Sequence, residues 1–131
     1  MSSPDLPFAP LDRPVILVVD DEALLVTIAR TMFERDGYFV LTARDGEEAL
    51  EISRAFPRPI DALVADVKMP GIGGIELRRQ ILRERPGTKV LLMSAFVDQA
   101  PIKGCPFLRK PFDIAVLKEQ VRQLLAPARP I

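Results

Sequence analysis

Residues 14–22 read PVILVVDDE, and the fold turns on how this stretch is read. From Pro14 to Val19 the run is unbroken in β-branched residues and leucine, the pattern of a strand covered on both faces. It ends abruptly on Asp20 and Asp21. A strand with two dry faces belongs in a parallel sheet flanked by helices, so helix and strand should alternate after it.

They do. DDEALLVTIARTMFERDG predicts a helix, with Leu24, Leu25, Ile28 and Met32 at helical spacing, acids at its start and Gly37 as its stop. YFVLT reads as the second strand. Asp45 to Phe56 predicts a helix, Asp45 serving as its cap and Pro57 ending it. DALVAD is a third strand, Gly74 to Arg85 a third helix halted by Pro86-Gly87, and TKVLLMS a fourth strand. PFLRK gives a short fifth strand, and Asp113 to Leu125 a last helix with Ile114, Leu117, Val121 and Leu124 on one stripe. The expected class is α/β, a doubly wound five-stranded parallel sheet with right-handed crossovers.

Composition narrows the function. A chain of 131 residues fits one domain with a real core. We expect residues 1–13 to be an extension, 14–126 the domain and 127–131 a tail. The 13 prolines gather at the two ends, at element boundaries and around residues 101–111, so they punctuate elements. No apolar run approaches the ~18 residues of a membrane span, and MSSPDLPFAPLDRP lacks the pattern of a secretory signal. Cys105 is the only cysteine, which excludes an internal disulfide. A cytoplasmic protein is expected. The 18 basic residues balance 18 acidic ones, so nothing draws the chain as a whole to nucleic acid or to a membrane. Histidine is absent, which removes His-based triads, His metal sites and any phosphohistidine role.

In a sheet of this kind chemistry gathers beyond the carboxyl ends of the strands. Those ends carry Asp20 and Asp21, Asp66, Ser94 and Lys110. Singly, each has a plain explanation: a cap or turn aspartate, a loop serine, a solvated lysine. Together they do not, because three clustered carboxylates are costly unless something neutralises them. Hard oxygen ligands suit Mg2+. An aspartate beside such an ion can attack a phosphoryl group and form an acyl phosphate. The loose transition state then depends on charge placed around the transferring oxygens. A metal, a lysine and a hydroxyl would each serve one of them.

VVDDE, VADVKMPGIGG, MSA and FLRKPF, in that order, resemble the receiver domain of bacterial two-component response regulators, over Pro14 to Leu125. The resemblance implies a flavodoxin-like (βα)5 fold, and a phosphorelay protein that accepts a phosphoryl group on Asp66 from a sensor histidine kinase or phosphotransfer protein. It implies Mg2+ held by Asp20, Asp21, Asp66 and the backbone carbonyl of Lys68. Ser94 would bind a phosphoryl oxygen and Lys110 would pair with the phosphoryl group or with Asp66. Ser94 and Phe107 would form the switch, and Lys110–Pro111 would be cis. Ala95 either leaves room for the incoming donor or simply makes a tight loop, and the Lys68 side chain either covers the site or points to solvent.

Three departures stand out. Gly73 replaces an acidic residue common in relatives, which predicts a looser loop. Ser94 replaces the commoner threonine. Only 11 residues run from Ala95 to Cys105, and they include Pro101 and Gly104. The helix that relatives carry there should be shortened or missing, with at most one or two turns starting near Asp98. The surface on which relatives read out phosphorylation would then be rebuilt.

The leading expectation is a stand-alone receiver, not an enzyme beyond its own phosphorylation and dephosphorylation, acting on an unknown downstream protein. A phosphate sink or shuttle, or a severed hybrid-kinase receiver, would share every motif. A Mg2+-dependent aspartyl-phosphate phosphohydrolase typically needs a second acid two residues after its nucleophile, and here that position is Lys68. An unphosphorylated scaffold would have no use for the intact acidic set.

Overall fold

The computed structural model describes residues 13–95 and 101–127. Five strands form one parallel sheet in the order β2-β1-β3-β4-β5: β1 (Val15–Val19), β2 (Phe39–Ala43), β3 (Ala62–Asp66), β4 (Lys89–Ser94) and β5 (Phe107–Arg109). Four helices are described: α1 (Ala23–Arg35), α2 (Gly46–Ala55), α3 (Gly74–Glu84) and α4 (Ile114–Leu124).

β1 is buried along its whole length, as its uniform apolar run requires. Val15, Leu17 and Val19 face a core shared with Ala49 and Leu50 of α2 and Leu77 and Ile81 of α3. Ile16 and Val18 face the opposite core, built on Ala29 and Phe33 of α1 and Leu117 and Val121 of α4. The sheet is thus sandwiched, and its central strands β1 and β3 contribute to both cores.

The stripe expected on α1 needs correcting. Ala29 and Phe33 are its buried residues, and Leu25, Val26 and Met32 pack partly against them. Leu24 is 73% and Ile28 43% exposed. This helix carries apolar residues around more than one face, so spacing alone could not say which row meets the sheet. The other helix signals behave as their chemistry dictates. Asp45 caps α2 by accepting the Glu48 N–H at 2.8 Å, and Gly37 ends the α1 turn with φ +92°.

The β4–β5 crossover carries no helix among its described residues. Residues 101–105 form turns, with Gly104 at φ +82° and the Cys105 N–H bonded to the Ile102 carbonyl at 3.1 Å. Ile102, Cys105 and Phe107 join the core on the α2 and α3 side. Side chains from the crossover and β5 thus pack onto that face of the sheet. Asp98, where a short helix was expected to begin, lies outside the described residues.

Candidate functional site

Parallel pairing carries each strand's last residue to one edge. Asp20 follows β1 and extends its pairing, its N–H reaching the Ala43 carbonyl at 3.2 Å. Asp66 ends β3 opposite Met93, and the Val67 N–H bonds to the Met93 carbonyl at 2.7 Å. Ser94 ends β4, buried, and its carbonyl accepts the Lys110 N–H at 2.9 Å. The strand register therefore brings Asp20, Asp66, Ser94 and Lys110 together. Asp21 sits beside them, exposed.

Asp20, Asp21 and Asp66 each offer a carboxylate oxygen, and these oxygens lie within 4.8 Å of one another. Such a hard, all-oxygen set fits Mg2+. The Lys110 ammonium reaches Asp20 Oδ2 at 2.8 Å, Asp66 Oδ2 at 3.1 Å and Glu22 Oε1 at 2.6 Å. An ammonium has three N–H donors, so all three are engaged. Burial works against the charged lysine, but the hydrogen bonds and charges of these carboxylates outweigh it and hold its pKa above the ordinary value. Asp20 is fully buried, and that desolvation raises its pKa despite the stabilising bonds from Lys110 and the Glu22 N–H.

Glu22 was not anticipated as a site residue. Its signal was present, because it continues the acidic run VVDDE at the same strand end. Lys68 is exposed, and its N–H stands 3.4 Å from Asp66 Oδ1. Phe107 opens β5, half-buried against the α2 and α3 core. Ala95 is exposed and lines a cavity of about 350 Å3 with Glu22, Leu25, Lys110, Pro111 and Phe112. The Lys110–Pro111 bond is cis.

The loop after Asp66 is tight, contrary to expectation. A Cβ at Gly73 would stand 2.6 Å from the Val67 carbonyl oxygen, and one at Gly74 only 2.3 Å from that of Asp66. An acidic side chain at position 73 could enter only if the backbone moved. Gly71 has φ +77° and packs on the Glu47 carboxylate, which also accepts the Ile72 N–H at 3.2 Å. Absence of side chains here permits close approach, so glycine tightens this loop.

The family model for the response regulator receiver domain matches residues 16–122. The chain belongs to this family. It is 34% identical to the alkaline phosphatase synthesis transcriptional regulatory protein PhoP of Bacillus subtilis (strain 168), over 84% of this chain and 48% of that one. It is 33% identical to the sensor kinase CckA of Brucella abortus (strain 2308), over 85% of this chain and 12% of that one. The receiver thus spans about half or less of these two curated relatives. The crystal structure of the receiver domain from the hybrid histidine kinase CckA superposes with a TM-score of 0.71 at 39% identity, covering 86% of this chain and 99% of that one. No helix among the described residues is long and apolar enough to cross a membrane.

Proposed function

We propose that this receiver accepts a phosphoryl group on Asp66 from a sensor histidine kinase or phosphotransfer protein and signals, in the cytoplasm, through phosphorylation-dependent contact with a downstream protein. The observation that carries this reading is the Lys110 ammonium bridging Asp66 and the buried Asp20 at the sheet's carboxyl edge. One Asp66 carboxylate oxygen attacks the phosphorus of a phosphohistidine. The new O–P bond forms as the N–P bond breaks, the electron pair leaves on the imidazole nitrogen, and solvent supplies its proton. Lys110 and the Ser94 hydroxyl donate to phosphoryl oxygens, and Phe107 and Ser94 respond as the switch. Asp20, Asp21, Asp66 and the Lys68 carbonyl would hold Mg2+, which supplies charge neutralisation at the transferring oxygens. Ala95 leaves the mouth of the site open for the donor.

The domain proper is residues 14–126 in this reading, with 1–13 an extension and 127–131 a tail. It turns over no substrate beyond its own phosphorylation and dephosphorylation. With no helix among the described residues of the β4–β5 crossover, we place the readout on a surface other than a crossover helix. A second reading, the receiver of a hybrid kinase, draws support from the 39% identity to the CckA receiver.

Incubation with Mg2+ and a small acyl-phosphate donor, followed by intact mass measurement, tests the reading. One labile phosphoryl adduct is expected, absent in Asp66→Asn. Sustained turnover of varied phosphate esters would instead mark a hydrolase.

A further inference from the structure

Lys110 makes its shortest ion pair not with Asp66 or the buried Asp20 but with Glu22, at 2.6 Å. The three carboxylates differ sharply in what losing the ammonium would cost them. Asp20 has no solvent access, so leaving it unpaired strands a buried charge. The Glu22 side chain is 63% exposed, and water can replace its partner at little cost. All three ammonium protons are already engaged, so a phosphoryl group on Asp66 can take over the one that Asp66 holds, and a second phosphoryl contact comes only at the expense of Asp20 or Glu22.

We propose that Glu22 is the exchange partner of Lys110: it holds the ammonium in the resting state and yields it to the phosphoryl group. The inference rests on Asp66 being the phosphoacceptor. Phosphorylating an Asp66 oxygen to the acyl phosphate removes that carboxylate's charge and places phosphoryl oxygens beside the ammonium. Lys110 keeps the buried Asp20 and gives up the exposed Glu22. The released carboxylate stands at the N-terminal end of α1, beside the cavity it shares with Leu25, Ala95 and Phe112, so it has room to turn outward. Glu22 therefore acts through Lys110, as a competitor of the phosphoryl group for the ammonium.

Beryllofluoride, a tetrahedral phosphoryl mimic that bonds to a carboxylate, serves as the probe, with Mg2+ present and affinity read by calorimetry. Glu22→Gln removes the charge, whereas Glu22→Asp keeps it and withdraws the acceptor by one methylene. Exchange predicts that both variants bind the mimic about two- to five-fold more tightly than the parent, the worth of one exposed ion pair. Tightening in Glu22→Gln alone would reduce the effect to general charge and overturn the proposal. Weaker binding in both would overturn it too, because Glu22 would then be needed to aim the lysine. Failure of the parent protein to bind would overturn the phosphoacceptor reading and the exchange together, whereas equal affinity in all three proteins would overturn the exchange alone. The exposure of Glu22 makes both variants compatible with folding, which a urea midpoint verifies.

Discussion

Replacing Lys110 with methionine keeps the apolar stem and deletes the ammonium, which isolates the electrostatic part of the site. Asp20 then stays fully buried with one bond left among those described, from the Glu22 N–H at 2.9 Å. Breaking a buried ion pair by removing one partner typically costs about 3–5 kcal/mol. The aspartate has an escape, however, since it can take up a proton. From the ordinary value of 3.8, protonation at about pH 7 costs about 4 kcal/mol. Burial has already raised the Asp20 pKa, so the real cost is lower than that, and protonation holds the loss toward the low end of the ion-pair range. Mg2+ should reverse this, because a cation among Asp20, Asp21 and Asp66 neutralises the same charges. Urea unfolding with and without Mg2+ reads both effects. We expect Lys110→Met to lose about 3 kcal/mol without the ion and to gain more from it than the parent does. An unchanged midpoint in the metal-free protein, or equal stabilisation of both proteins by Mg2+, would refute this account of the cluster.

Other perturbations test other parts of the structure. Gly74→Ala must push a Cβ away from the Asp66 carbonyl, so it should cost about 1–3 kcal/mol in urea and slow phosphorylation. Gly87→Ala, with nothing within 4 Å, should do neither. The Arg85 guanidinium donates to the Ser53 hydroxyl and to the Ser53, Phe56 and Arg58 carbonyls at 2.6–2.9 Å, tying the end of α3 to that of α2. Arg85→Ala should lower stability by about 2–3 kcal/mol, and Arg85→Lys should restore only part, because lysine cannot fork across several acceptors. Burial raises the Cys105 thiol above its usual pKa. Iodoacetamide at about pH 8 should therefore label the native protein at least about ten-fold more slowly than the urea-unfolded chain.

The sheet could be read from the sequence because β1 and β3 are apolar without interruption and each ends on a carboxylate. Once the strands are parallel, their final residues must share an edge, so Asp20, Asp66, Ser94 and Lys110 followed. Glu22 was missed because a residue just past a strand end can face anywhere, and only the fold shows Lys110 arriving within 2.6 Å of it. The α1 stripe was misread because Leu24 and Ile28 are as apolar as the residues that do meet the sheet. Gly73 misled for a different reason: glycine signals flexibility in a sequence, yet here the missing side chains allow α3 to press against Val67 and Asp66. The shortness of the β4–β5 crossover was plain, but not that Ile102 and Cys105 would pack into the core on the α2 and α3 side.

The central claim is that Asp66 carries the phosphoryl group. Borohydride reduces an acyl phosphate to an alcohol, so treating the phosphorylated protein should convert that one residue to homoserine, which tandem mass spectrometry locates. The account predicts homoserine at position 66 and nowhere else, dependent on prior phosphorylation with Mg2+. Homoserine at another carboxylate, or none in protein that carries the phosphoryl mass, would contradict it.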